Sequence, residues 1–216
     1  MRKQSTLEYA TPFRRKLLAW FRAAGRDLPW RRTRDPYRVL VSEFMLQQTQ
    51  VARVLEFYGP FLRRYPSFAA LARARPAAVR EAWDGLGYYR RAANLHRLAR
   101  AIVRDRAGVL PSEPVELERL PGVGPYTAGA VASFAFEKAA PAVDTNVRRV
   151  LHRVFGTRTA KQIRATAAAL QPRRGKTAWS FNQALMELGA LVCTARAPKC
   201  QQCPVSDDCN WYLRNG

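Results

Sequence analysis

Cysteine is missing from the first 192 residues of this 216-residue chain, and all four cysteines fall between positions 193 and 209. That distribution excludes a disulfide framework for the body of the protein and suits one local metal site in a reducing compartment. Acidic residues are scarce too: 16 Asp and Glu face 37 Lys and Arg, a formal net charge of +21. So large an imbalance points to a polyanionic partner, with nucleic acid as the first candidate. No apolar run approaches the ~20 residues of a membrane span, and the N-terminal MRKQSTLEYATPFRRK carries charge without an apolar h-region. The expectation is a soluble, cytoplasmic protein with no membrane partner. Internal repeats, low-complexity linkers and acidic tails are also absent, so any second domain is built from packed helices without a floppy joint.

Strand signals are few as well. No segment alternates Val, Ile and Thr with polar residues, whereas apolar residues at helical spacing recur from end to end, and 48% apolar content allows a sizeable core. The expected class is all-α. Helices are predicted over residues 11–24, with Phe13, Leu17, Trp20 and Phe21 on one face, over 37–61 with a break or kink near Pro60, and over 76–83 with Pro76 in the first turn. Further helices are predicted over 90–106, 115–119, 126–136, 145–155, 160–170 and 178–194. Arginine doublets such as Arg14-Arg15, Arg63-Arg64, Arg90-Arg91 and Arg148-Arg149 are dispersed along the chain. Each alone suits a solvated face, and together they suit a nucleic-acid surface.

Cys193, Cys200, Cys203 and Cys209 give C-x6-C-x2-C-x5-C within 17 residues, about the loop length that wraps one tetrahedral centre. A four-thiolate zinc ion and a cubane iron–sulfur cluster are both held this way. The six-residue first gap leans toward iron–sulfur. Upstream, LPGVGPYTAGAV places Gly122 and Gly124 between a short helix and an alanine-rich one. Such a segment is either a helix–helix turn or a phosphate clamp, in which the backbone of Gly122, Val123 and Gly124 approaches an anion at a helix start. Asp144, just before TNVRRVLHRV, reads as an N-cap, a position that also favours an ionised carboxylate.

The hairpin, an aspartate eighteen residues after Tyr126 and the cysteine spacing occur in that order. Together they resemble the helix-hairpin-helix DNA glycosylase superfamily. The resemblance implies a two-lobed fold, with a six-helix barrel carrying the hairpin over residues 29–135 and a helical iron–sulfur lobe from 1–28 plus 136–216. It also implies a [4Fe-4S] cluster on the four cysteines and Asp144 as the catalytic aspartate, oriented by Asn146. RDLPWRRTRDPYRVLVSEFMLQQTQ, residues 26–50, is similar to the MutY branch, adenine glycosylases acting on A opposite guanine or 8-oxoguanine.

In that branch the glutamate matching Glu43 protonates the purine and later activates water. From the residues alone, a carboxylate in so apolar a helix is either salt-bridged to an arginine or held as a general acid with raised pKa. By the same resemblance Gln48 and Tyr88 enter the duplex around an extruded base, Gln183 pairs with the adenine edge, and Arg26, Trp30, Arg31 and Leu46 complete the pocket. One tyrosine of the YY pair is still expected in a core, and from the residue alone Gln183 is either a contact to the adenine edge or a solvent-facing helical residue. Tyr126 stands where strand-cleaving relatives carry a lysine, which implies base removal without a Schiff base.

The chain ends seven residues after Cys209, so the expectation is an enzyme without the extra C-terminal domain that recognises oxidised guanine. Tyr126 and the length also resemble thymine glycosylases acting on T·G, against which Gln183 and QQTQ favour adenine. A non-catalytic DNA-binding scaffold is the alternative from another class. The expected partners are mismatched double-stranded DNA and enzymes that process abasic sites. A monomer is expected, nucleoid-associated if bacterial.

Overall fold

The computed structural model describes residues 6–215, with side chains from Ala10 onward. Residues 1–5 and Gly216, which fall in the expected iron–sulfur lobe, lie outside the described residues. In chain order the helices are α1 (Thr6–Ala24), α2 (Pro36–Leu46), α3 (Val51–Arg64), α4 (Phe68–Arg73), α5 (Pro76–Glu81), α6 (Arg90–Arg106), α7 (Pro114–Leu117), α8 (Pro125–Phe136), α9 (Thr145–Phe155), α10 (Ala160–Leu170), α11 (Gly175–Leu191) and α12 (Tyr212–Asn215). The described residues contain no strand. Two compact units result, Leu28–Phe136 and the discontinuous Met1–Asp27 with Glu137–Gly216.

The unit Leu28–Phe136 is organised around α8. Its sequence PYTAGAVASFAF has no polar face, and every residue from Thr127 to Ala135 is buried, as a helix enclosed on all sides requires. Against it packs α2, which begins where the Asp35 carboxylate accepts the Arg38 N–H (2.9 Å) and Pro36 takes the first helical position. α3 and α6 pack on α2, α4 and α5 on α6, and α7 on α8.

The single helix predicted over 37–61 is two helices, and the break is not at Pro60. The chain leaves α2 at Gln47 and turns through Gln48, whose φ of 57° is left-handed. Pro60 lies inside α3, on an exposed position where the carbonyl it leaves without a donor, that of exposed Glu56, meets water. α4 was not foreseen from its short apolar run, although Ser67 caps it by accepting the Ala70 N–H (3.2 Å). α1 extends five residues ahead of its predicted start and carries Pro12 within it, since a proline's fixed φ is compatible with helix.

In the discontinuous unit, α1 packs on α10 and α11, and both of those pack on α9. Phe13 sits at its centre, edge-on to Phe155 at 5.2 Å and to Phe181 at 6.3 Å, with Leu17, Val150, Leu151 and Leu188 fully enclosed around it. α10 opens on a reciprocal cap between Thr159 and Gln162, and α9 ends at left-handed Gly156.

The hairpin between α7 and α8 uses its two glycines differently. Gly122 has a left-handed backbone (φ 78°), and a Cβ there would meet the Asn94 side chain at 2.7 Å, whereas a Cβ on Gly124 would meet nothing within 4 Å. Val123 between them buries its side chain. Gly122→Ala is therefore expected to lose about 1–3 kcal/mol of stability through strain and crowding. Gly124→Ala should stay within about 0.5 kcal/mol of the parent in urea melts. Equal losses at the two positions would contradict this reading of the turn.

Candidate active site

Glu43 lies on the enclosed α2 and is 3% exposed. Burial of an ionised carboxylate costs several kcal/mol unless donors replace the lost water. The Tyr126 hydroxyl, one residue into α8, supplies such a donor to Glu43 Oε2 at 2.8 Å. The packing of α2 on α8 thus brings together two residues 83 positions apart. In the same unit Trp30 is buried in a short 3-10 turn, edge-on to Tyr58 at 5.4 Å, Arg31 ends that turn half-buried, and Leu46 ends α2 half-buried.

Asp144 caps α9. One carboxylate oxygen accepts the Val147 N–H at 2.7 Å and the other accepts Asn146 Nδ2 at 3.2 Å. Burial pushes its pKa above the ordinary carboxylate value. The helix-cap bonds, Asn146 and the nearby Arg149 charge oppose that shift without cancelling it. The helix start therefore reduces the cost of an anion that burial still disfavours, a different balance from the one that the cap position alone suggests. Asn146 is held in turn by Arg149, which donates to its Oδ1 at 2.6 Å and also to the carbonyls of Gly189 and Cys193, each at 2.7 Å. Gly189 has to lack a side chain, because a Cβ there would stand 2.6 Å from Asn146 Cβ.

Arg26 is engaged by Glu187, which is 1% exposed. The carboxylate accepts the Arg26 backbone N–H at 2.9 Å, Nε at 2.7 Å and Nη2 at 2.9 Å, the fork-on-fork geometry of a strong pair. Glu187 had no assigned role in the sequence reading, and its burial beside Asn182 and Gln183 on α11 is the signal that marks it. Gln183 is 5% exposed, so it is not a solvent-facing helical residue.

Gln48 and Tyr88 are both exposed, Tyr88 by 60%, and both have left-handed backbone, φ 57° and 46°. L-residues take that conformation at a cost of about 1–2 kcal/mol. The expectation that one tyrosine of the pair packs in a core does not hold: Tyr89 is half-buried, its hydroxyl donating to exposed Asp84. In the hairpin, Gly122 and Gly124 are exposed, while the Val123 N–H already bonds the Leu120 carbonyl at 3.2 Å. The Val123 amide is thereby engaged within the turn.

All four cysteines line one pocket together with Val150, Leu188 and Trp211. Four thiols lining one pocket are the donor set that a four-cysteine iron–sulfur cluster takes. Burial raises the Cys203 thiol to about 11 and shifts Cys200 upward as well, with the neighbouring thiols adding to both. Cluster binding there displaces protons. Arg153, one turn beyond Arg149, donates to Cys193 Sγ at 3.4 Å and to the carbonyls of Thr194 and Ala195, and its guanidinium lies 5.0 Å from the Trp211 ring. Lys16 on α1 holds the same loop through Asp208 at 2.6 Å.

Comparison with known proteins accords with this geometry. The profile described as "HhH-GPD superfamily base excision DNA repair protein" matches residues 41–173, and that of the iron–sulfur binding domain of endonuclease III matches residues 193–209. A [4Fe-4S] cluster is accordingly the cofactor of the segment from Cys193 to Cys209, which contains all four cysteines. An adenine DNA glycosylase of Mycobacterium tuberculosis (strain CDC 1551 / Oshkosh) is 50% identical over 202 residues, which cover 90% of this chain but 66% of that protein, so the chain spans just under two thirds of it. A thymine-DNA glycosylase of Aeropyrum pernix is 40% identical, with 92% of this chain and 93% of the relative covered. The solved structure of a thermostable thymine-DNA glycosylase superposes with a TM-score of 0.91 at 33% identity, covering 98% of this chain and all of that one. On the profile match across most of its length, the chain belongs to the HhH-GPD superfamily of base excision DNA repair proteins.

Proposed function

We propose that the chain is a monofunctional DNA glycosylase that hydrolyses the N-glycosidic bond of adenine opposite guanine or 8-oxoguanine. The observation that carries the reading is the buried Glu43 carboxyl held by the Tyr126 hydroxyl at 2.8 Å, with a phenol where strand-cleaving relatives have an amine. Glu43 in its acid form gives a proton to the purine ring, and the base departs neutral with the bonding electron pair. The Asp144 carboxylate offsets the positive charge that develops at C1′, as an anion does beside any oxocarbenium-like sugar. Water then adds to C1′ and its proton returns to Glu43, leaving an abasic site. Asn146 holds Asp144 in place; in the same unit Gln183 pairs with the adenine edge and Arg26 acts through Glu187, while in the unit of Glu43 the residues Trp30, Arg31 and Leu46 contact the base. Backbone amides of the hairpin and of the first turn of α8 take a DNA phosphate, and Gln48 and Tyr88 fill the stack around the extruded base. Cys193, Cys200, Cys203 and Cys209 would hold the cluster, which when bound would cross-link the loop over residues 193–209.

The 50% identity to an adenine glycosylase supports adenine as the base. Thymine opposite guanine is the second reading, favoured by the likeness to a thymine-DNA glycosylase over nearly its whole length. The partners that follow are mismatched duplex DNA and enzymes that process abasic sites, with the protein acting as a monomer. No helix among the described residues is long and apolar enough to cross a membrane.

Duplexes carrying A·8-oxoguanine, A·G, T·G and U·G, incubated with the protein and then treated with alkali, are expected to break at adenine. Cleavage at T·G alone would replace adenine with thymine, and tight binding without any product would favour a scaffold. Asp144→Asn should lower single-turnover excision by at least about 10³-fold with mismatch binding retained. Parallel losses of both would make Asp144 a cap only. Because Asp144 titrates above the usual carboxylate value and must be ionised, excision should fall as pH drops through that raised pKa. Asn146 stabilises the anion, so Asn146→Ala should move this acid limb further upward; a limb that stays put would remove Asn146 from the role.

A further inference from the structure

Arg91 is the most heavily engaged buried side chain outside the residues already assigned. It is 7% exposed, in the first turn of α6, on the face that continues through Leu95, Leu98 and Ile102. Nη1 donates to the carbonyls of Phe44 (3.1 Å), Met45 (2.7 Å) and Gln47, and Nη2 donates to Thr49 Oγ1 (2.9 Å) and to the carbonyls of Leu86 (3.0 Å) and Gly87 (3.1 Å). Every one of these partners is a neutral oxygen, and Nε has no partner. A buried guanidinium without an ion pair is expensive, so the arrangement persists only if the backbone around it is built to receive a cation.

The acceptors have a pattern. Phe44 and Met45 contribute carbonyls from the last turn of α2, which have no intrahelical donor and sit at the negative end of the helix dipole. Gln47 and Thr49 flank Gln48, while Leu86 and Gly87 immediately precede Tyr88. One planar fork therefore grips both sides of one left-handed residue and the approach to the other, and its Cζ lies 5.4 Å from the Tyr88 ring centre and 5.6 Å from that of Trp83. Thr49 Oγ1 reaches the Leu86 carbonyl at 3.5 Å, so the two turns also meet directly. Exposed Arg53 adds a single bond to the Gly85 carbonyl at 3.1 Å.

We infer that Arg91 is a positioning residue: a buried clasp that locks the two turns together so that Gln48 and Tyr88 are presented as one preset pair. The inference rests on the reading that these two side chains enter the duplex. Left-handed backbone at two exposed L-residues relaxes unless something over-determines it, and the six acceptors of Arg91 supply that constraint. A rigid pair meets the stack with its ordering cost already met during folding, which is where preorganisation raises the yield of extruded base. Lysine cannot replace it, because an ammonium has three donors and no planar fork.

Two measurements on the full chain test this. Amide hydrogen exchange in Arg91→Lys is expected to rise about ten-fold or more at both turns, residues 47–49 and 85–88, with the rest of the chain unchanged. Thr49→Val, which removes one acceptor and keeps Arg91, should give a smaller rise at the same two turns and carries the test if Arg91→Lys does not fold. A rise in one turn alone, none, or a global rise overturns the clasp. Single-turnover excision should fall about ten-fold in Arg91→Lys but show no further loss when the substitution is added to Gln48→Ala/Tyr88→Ala, because the residues act as a unit. A full further loss in that background overturns the positioning role. If Gln48→Ala/Tyr88→Ala itself excises at the parent rate while both turns loosen in Arg91→Lys, the reading of the wedge residues is wrong and the clasp is architecture alone. The two failures are thereby told apart.

Discussion

Burial of carboxylates in a chain with so few of them is the constraint that the candidate chemistry depends on. Glu43 and Glu187 are almost fully enclosed, and Asp144 is pushed upward in pKa by its own burial. A buried anion is tolerated only with designated donors, and each of the three has its own. A phenol serves Glu43, a helix start with an amide serves Asp144, and a guanidinium fork serves Glu187. A cap favours the anion, and an arginine fork fixes a carboxylate in place.

Positive charge is used with the same economy. Most of the basic residues meet solvent, as a polyanion-binding surface requires. Arg91, Arg149 and Arg153 instead turn to backbone carbonyls at places where the chain leaves regular structure. Arg91 holds the turns after α2 and before α6, and Arg149 and Arg153 hold the start of the cysteine loop. Irregular backbone at a functional site needs such external donors, because its own ladder of hydrogen bonds has ended.

The all-helical class, most helix positions and the cysteine cluster were legible in the sequence, because apolar spacing at 3.6 residues and clustered thiols are local signals. Gln48 was not legible as a break, since QQTQ holds neither Gly nor Pro; the turn is held by contacts to Thr49 and Gln47 from Arg91, 42 and 44 residues away. Arg91 itself leaves a trace in sequence, an arginine on an apolar stripe, which reads as an interruption until its acceptors are known. The pairing of Glu43 with Tyr126 is likewise a product of the packing of α2 on α8. Resemblance singled out both residues, but only the fold supplies the 2.8 Å contact.

Base removal without an amine nucleophile is the central claim, and borohydride trapping on an A·8-oxoguanine duplex tests it most directly. No covalent protein–DNA adduct is expected, and the strand should stay intact until alkali is added. A borohydride-trapped adduct, or strand cleavage in neutral buffer in step with base loss, would contradict it.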